Sequence, residues 1–523
     1  MDSRTAEAVA ADAPGPQRLP LLGWLALVLG AASVGYLIYY NVVHLHAAHA
    51  GGTDRHDLPP LWGIGVLPFA ALLGAIAVLP LLQATRHWWE SNLHRLYVAL
   101  AASAATLLYY LAAKGWSSLL PVLNHAVPAE YIPFIVLLFS LYVISGGINL
   151  RGNLAAHPLT NTGILAFGAL IASFIGTTGA SMLLIRPLLQ TNAERKHVVH
   201  TVVFFIFLVS NIGGTLLPIG DPPLFLGYLR GVSFFWTLGL WPAWACCCAI
   251  LLGIYFALDS YFYREEVPAD IRADERIHEP LRLHGWINVL WLAGVVACVA
   301  TVSHEQELLG SGWTPFPFAR ELLMLLLVGI SLATTPRGVR EANDFNYAAI
   351  LEVAALFIGI FVAMQVPIEV LNIRGPSLGL SAPWHFFWAT GSLSSVLDNA
   401  PTYVVFFETA KSLTPEVLAT TIIREDLLVG ISLGAVFMGA MTYIGNGPNF
   451  MVKAIAEQSG VEMPSFFGYV VRYSVPILIP VFILVTFIFL QGGAATGMEA
   501  AAGAPSDIHA VPETAPAEAV RGH

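Results

Sequence analysis

The sequence predicts an all-α polytopic membrane protein of about eleven spans, with two re-entrant hairpins and two broken helices arranged as an inverted repeat. Three observations predict it. Of 523 residues, 56% are hydrophobic and 11% charged, with a mean hydropathy of +0.70; a soluble domain is about 25% charged. Apolar runs long enough to cross a bilayer, about 20 residues each, recur from Leu21 almost to Leu490. Several of these runs are interrupted by Gly, Pro and polar residues at matching places in the two halves of the chain.

The elements follow in order. Residues 1–19 form an acidic, Ala/Pro-rich lead, with Asp2, Glu7 and Asp12 against Arg4 and Arg18. That is a disordered N-terminus and not the basic start of a cleavable signal. Residues 20–130 hold three leading spans, near 21–42, 61–83 and 96–113. A first repeat, 131–260, opens with a span near 131–149. A hairpin follows over 163–190, interrupted by Gly176-Thr177-Thr178-Gly179-Ala180-Ser181. Next come a helix over 198–230, broken from Gly213-Gly214 to Pro223, and a span near 234–259. A linker, 261–346, carries spans near 287–303 and 318–335. The second repeat, 347–491, has a span near 348–368 and a hairpin over 386–410 interrupted from Ser394 to Thr402. Its broken helix runs over 424–455, from Gly439 to Pro448, before a last span near 470–490. The tail 492–523 is poor in large apolar residues and reads as disordered.

The repeat rests on the breaks. The run from Gly214 to Phe225 aligns without gaps to Gly439–Phe450, with identities at Gly214/Gly439, Ile219/Ile444, Gly220/Gly445, Pro223/Pro448 and Phe225/Phe450. If each hairpin adds no crossing, an odd number of crossings separates the two repeats, so they are inverted. A cytoplasmic N-terminus then puts most Lys and Arg inside, including Arg264, Arg272, Arg276 and Arg282, in line with the positive-inside rule. The C-terminus lies outside, and the location is the plasma (bacterial inner) membrane.

The net charge of −10 excludes the basic footprint of a nucleic-acid binder. Cys246, Cys247, Cys248 and Cys298 fall inside apolar runs without metal-ligand or disulfide spacing. Within a bilayer, broken backbone survives only when buried in protein or lining a watery cavity. Breaks at matching positions therefore point to a transporter's binding site. Thr177, Thr178, Ser181, Asn399 and Thr402 add side-chain oxygens at the hairpin tips, and Asn211, Thr215 and Asn446 add them at the broken helices. Asp221 and Asp398 lie in these breaks, and an acid at that depth is a functional candidate by default. The bland alternative is an acid capping a half-helix N-terminus. An anionic substrate charge about 5 Å from one ionised Asp is repelled by about 3 kcal/mol at an effective dielectric of 20, so the acids favour Na⁺ and H⁺. Arg186 is the nearest basic charge partner and Glu352 a proton-relay candidate; their bland readings are a snorkelling cation and an interfacial cap. Glu408 and Lys411 read as an interfacial i,i+3 pair. The His44–Asp57 loop is His-rich but lacks fixed ligand spacing.

Ser210-Asn-Ile-Gly-Gly-Thr215, Ile219-Gly-Asp-Pro-Pro223 and Leu397-Asp-Asn-Ala-Pro-Thr402 resemble the signatures of the ion transporter superfamily. Within it, they look closest to the sodium/proton antiporter branch and the citrate-transporter-like proteins similar to it. The resemblance covers about 130–490 and implies a homodimeric, inverted-repeat transporter with an elevator-like domain. It further implies that Asp221 and Asp398 bind ions and protons, supported by Asn211, Thr215, Asn399 and Thr402. The Ser-Asn-Thr triplets of the dicarboxylate branch are absent as such. The leading expectation is sodium/proton antiport by alternating access, with no enzymatic activity and no cofactor beyond transported Na⁺ and H⁺. The alternative is an ion-coupled citrate, dicarboxylate or oxyanion transporter of the same fold. A remote alternative, an intramembrane aspartyl protease, needs two carboxylates sharing a proton. The expected partners are small inorganic ions, carboxylates in the alternative reading, and the lipid bilayer.

Overall fold

The computed structural model describes residues 58–491, apart from 59–60, 81, 267–278, 304–306, 308–311 and 415–421. The first predicted span, the His44–Asp57 loop and both termini lie outside the described residues. The described chain is mostly helical. Its helices are α1 (Trp62–Val78), α2 (Asn92–Lys114) and α3 (Trp116–Ser145); α4 (Pro158–Ile175) and α5 (Thr177–Thr191) form the first hairpin. Then come α6 (Val199–Leu208), α7 (Pro222–Leu229), α8 (Trp241–Glu265), α9 (Ile287–Thr301) and α10 (Ala319–Thr334). After α11 (Ala348–Ala363) and α12 (Gln365–Arg374), the second hairpin pairs α13 (Pro383–Ser394) with α14 (Asn399–Ser412). The chain closes with α15 (Glu425–Met438), α16 (Gly447–Gln458) and α17 (Phe466–Phe489). Strands β1 (Asn149–Asn153) and β2 (Glu279–His284) pair antiparallel outside the helices.

Five helices among the described residues are long and apolar enough to cross a membrane, or six if the bent pair α11–α12 is one span. Their outer faces carry exposed Leu108, Phe167, Phe174 and Phe487, a pattern suited to lipid and not to water. The protein is therefore a multi-pass membrane protein.

Two bundles pack side by side. In one, α2 lies along α11, α3 packs on α9 and α10, and α1 covers α2. In the other, α13 lies along α15, α4 along α5, α7 against α14, and α8 against α4 and α17. They meet where α12 lies on α14 and α3 on α5. Small residues set the closest approaches, as in membrane helices generally. A Cβ on Gly434 of α15 would stand 2.5 Å from the Phe387 carbonyl oxygen, and one on Gly359 of α11 would meet Ala99.

Three elements differ from the sequence expectation. The α3 span starts at Trp116 and not near 131, because a π-helical turn over His125–Tyr131 absorbs Pro128 and keeps the helix continuous. The run expected over 348–368 bends by 45° between α11 and α12. The first hairpin breaks at Gly176 alone, whose φ of +78° permits the reversal, and Thr177–Ser181 already form the first turn of α5.

A polar knot secures the base of the first hairpin. Asp259 of α8 accepts from Arg195 Nη1 (3.1 Å) and pairs with His200 of α6 (2.7 Å), while Asn161 and Asn192 exchange reciprocal hydrogen bonds. Just past α8, Glu266 accepts from the backbone N–H groups of Lys196 and His197. Burial disfavours its charge, yet these two donors, with Arg195 and His197 beside them, hold its carboxyl below the usual carboxylate range.

Gly434→Val should force α13 and α15 apart and lower the thermal unfolding temperature in detergent, by a loss of about 1–3 kcal/mol or more. Gly253→Ala, with open space around its Cβ, should leave it unchanged. Because the folded pKa of Glu266 is depressed, its stabilising effect is present above its unfolded pKa and fades as pH falls through the folded value. The unfolding-temperature gap between wild type and Glu266→Gln should therefore be widest near neutral pH and close in acid.

Candidate functional site

Each broken helix adopts the same backbone sequence. After α6 come a 3₁₀ turn (Ile212–Thr215), an extended Asp221 (φ −141°, ψ 140°) and the Pro-started α7. After α15 come a 3₁₀ turn (Gly439–Met441), an extended Asn446 (φ −152°, ψ 142°) and α16 with Pro448 in its first turn. Proline suits the first helical turn, where a missing N–H costs nothing. The crossing is so tight that a Cβ on Gly220 would fall 2.3 Å from the Gly214 carbonyl oxygen, and one on Gly445 2.6 Å from that of Gly439. The identities at these glycines thus have a steric cause.

Hairpin serines take up backbone carbonyls that the breaks release. Ser173 donates to the Gly213 carbonyl (2.5 Å) and accepts from the Leu216 N–H (2.9 Å). In the second hairpin, Ser394 donates to the Ala435 carbonyl (2.7 Å). Ser173 was not legible as a site residue; its only sequence signal is a lone hydroxyl in an apolar run shortly before Gly176.

Asp221 is the hub. It is 1% exposed and accepts from Thr177 Oγ1 (3.0 Å), Asn399 Nδ2 (2.6 Å) and Asn446 Nδ2 (2.9 Å). The three donors come from the first hairpin, the second hairpin and the other broken helix. Thr177 and Asn399 open α5 and α14, while Asp221 and Asn446 immediately precede α7 and α16. Four helix N-termini therefore meet at one carboxylate, each equivalent to roughly half a positive charge. No Lys or Arg among the described residues hydrogen-bonds to it.

A second layer of amides locks the halves together. Asn211 Nδ2 donates to the Ile206 carbonyl (2.7 Å) and to Asn449 Oδ1 (2.7 Å). Asn449 Nδ2 in turn donates to the carbonyls of Gly439 (2.8 Å) and Thr442 (2.9 Å). Asn446 also donates to the Ser210 carbonyl, and Ser181 and Ser210 share a hydrogen bond of 2.8 Å. Two buried amide oxygens, Asn211 Oδ1 and Asn399 Oδ1, have no hydrogen-bond partner among the described residues, and both side chains are inaccessible. A Cβ on Gly439 would stand 2.9 Å from Asn211 Oδ1 and 3.7 Å from Asn399 Nδ2, so the two amides face the same glycine.

The other sequence candidates fall in different places. Asp398 is the N-cap of α14, its Oδ1 accepting from the Ala400 N–H (3.3 Å); that is the capping arrangement, and no hydrogen bond joins it to Asp221. The shared-proton geometry an aspartyl protease needs is thus not present between them. Thr402 and Thr215 bond to carbonyls of their own helical turns, Asp398 and Ile212. Thr178 is half-buried beside Thr177. Arg186 lies away from the hub and donates to the Asn343 carbonyl (2.8 Å) and Asp344 (3.0 Å). Glu352 pairs with Arg95 at 2.9 Å. Glu408 and Lys411 stand 4.0 Å apart, but Glu408 is buried and also takes Arg230, which the i,i+3 spacing did not disclose. Cys247 and Cys248 are buried and Cys246 and Cys298 half-buried, all unbridged.

A family model described as putative citrate transport matches residues 57–490. No curated protein matches the chain.

Asn449→Ala strips a partner from Asn211 and from the carbonyls of Gly439 and Thr442, each worth about 1–3 kcal/mol when buried unpaired. Thermal unfolding in detergent should register that loss, whereas Thr178→Ala should unfold like the wild type.

Proposed function

The chain belongs to the putative citrate transport family, and from that premise we propose that it is an ion-coupled secondary active transporter of citrate-like carboxylates, working by alternating access. The observation that carries this reading is the make-up of the Asp221 site. A hard cation takes oxygen ligands; Asp221, Asn211 Oδ1 and Asn399 Oδ1 are such oxygens, two of them unpartnered. An anion is favoured by helix N-termini, and four converge at Asp221. A coupling cation, Na⁺ or H⁺, would neutralise Asp221 and leave the helix ends free to attract a carboxylate. The repulsion that argued against an anion counted two acids. The helix ends offset Asp221, and α14's own N-terminus offsets the Asp398 that caps it, so that objection weakens.

The matching breaks support an inverted repeat, and the proposal retains about eleven spans counting segments outside the described residues. A homodimer with a cytoplasmic N-terminus and an external C-terminus belongs to the same reading. Sodium/proton antiport remains the second reading. One observation favours it: Arg186, the nearest basic charge partner expected from the sequence, is engaged by Asn343 and Asp344 and so is not free to bind a carboxylate.

Purified protein in proteoliposomes tests both. Citrate uptake should depend on an imposed Na⁺ or pH gradient. Asp221→Asn should reduce coupled uptake at least tenfold, equivalent to about 1.4 kcal/mol of coupling-ion affinity, with an unchanged elution profile. Asp398→Ala should cost only a helix cap, about 0.5–2 kcal/mol of stability, and retain uptake. Proton movement driven by Na⁺ without carboxylate, and no citrate uptake, would select antiport instead.

A further inference from the structure

Away from Asp221, one buried charge cluster joins the two bundles. Arg230 follows α7, at the opposite end of that helix from Asp221. Its Nη2 pairs with Glu130, and its Nε stands 3.3 Å from Glu408 Oε1. Side-chain exposures of Arg230, Glu130 and Glu408 are 8%, 7% and 7%. Glu408 belongs to α14, which begins at Asn399, so Arg230 ties together the far ends of two helices whose starts meet at Asp221. Glu130 belongs to the other bundle, in the π-helical turn of α3. Its second oxygen accepts from Gln365 Nε2 (3.4 Å), at the bend between α11 and α12. Both backbone irregularities of that bundle thus supply partners to this cluster, and π-turns are frequent at functional sites. Beside it, the Tyr228 hydroxyl donates to the Val299 carbonyl (2.8 Å) of α9 and accepts from Arg320 (3.2 Å).

The opposite end of the hairpin bundle is joined differently. Arg186 lies nine residues after Thr177, as Glu408 lies nine after Asn399. It too reaches the other bundle, but its contact with Asp344 is exposed, 30% and 81% at the two side chains. A polar cleft of about 690 Å³, lined in part by Arg186, Asn192, Arg195, Ser459 and Glu462, adjoins it. One end is therefore sealed by desolvated ions, and the other carries a polar cleft and a solvated pair.

We propose that Glu130, Arg230 and Glu408 form an ionic latch that holds the Asp221 bundle against its neighbour and closes one membrane face in this conformation. Arg186 with Asp344 is the weaker counterpart at the other face. The latch rests on the alternating-access reading, but not on which solute is carried. A buried ion pair loses little by staying closed and much by losing one partner; removing Arg230 leaves two acids without their shared cation. Arg230 is a positioning residue, acting on the site through α7 and α14.

The test uses the full-length protein with Cys246, Cys247, Cys248 and Cys298 replaced by Ser. A cysteine replaces Ser412, whose hydroxyl packs at the bundle boundary against Gly375. R230Q should raise the rate at which a membrane-impermeant maleimide labels S412C by at least fivefold, and change kcat of transport more than KM. E130Q, which keeps Arg230 paired with Glu408, should raise labelling by less. The full charge swap E130R/R230E/E408R, which places one acid between two cations, should return labelling towards the parent rate. Parent-like labelling in both R230Q and E130Q overturns the latch, as does a swap that labels as fast as R230Q. Labelling needs no solute, so altered labelling without citrate uptake keeps the latch and discards the carboxylate reading.

Discussion

A carboxylate buried in a membrane protein without a cationic neighbour has to be solvated by dipoles, because an uncompensated charge in a low-dielectric interior costs several kcal/mol. Asp221 meets that demand with three side-chain donors and four helix N-termini. Much of the surrounding architecture follows. To bring helix starts to the middle of a bundle, two helices must break and two hairpins must turn. The broken backbone needs glycines that let Gly220 cross Gly214 and Gly445 cross Gly439. It also needs hydroxyls, Ser173 and Ser394, to satisfy carbonyls at the breaks.

The amide layer of Asn211, Asn446 and Asn449 makes the two halves one unit. Asn211 donates across to Asn449 and Asn446 across to the Ser210 carbonyl, while Asn449 donates to the carbonyls of its own break, so neither half can shift alone without exposing buried donors. Inside this bundle, Asp259, Arg195 and His200 close a buried knot at the base of the first hairpin. Between bundles, charge sits at the boundary, buried at Arg230 and solvated at Arg186.

The membrane class, the hairpins and the paired breaks were legible because each leaves a local trace: apolar length, Gly and Pro at interruptions, and matching motifs around Gly214 and Gly439. Asp221, Asn399, Asn446 and Thr177 were legible for the same reason, since a polar residue at a break has few other reasons to be there. Other features were hidden. The α3 span began earlier than its apolar pattern indicated, because His125, Pro128 and Glu130 interrupt hydropathy while a π-turn keeps the helix intact. Glu408 looked like half of a local pair with Lys411, and nothing in its own neighbourhood announced Arg230 or Glu130.

What the sequence determined by itself was encoded within about one helix length: a helical membrane protein, where its chain breaks, and which polar residues stand at the breaks. Periodicity, Pro and Gly act locally, so they can be read locally. Tertiary structure alone decided which acid is the hub and which a cap. Asp221 and Asp398 have similar sequence surroundings, but only Asp221 meets donors from both halves, while Asp398 turns back on its own helix. It also decided that one Arg joins two distant acids. A buried charge is set by its partners, and those partners arrive from segments 100 and 178 residues away.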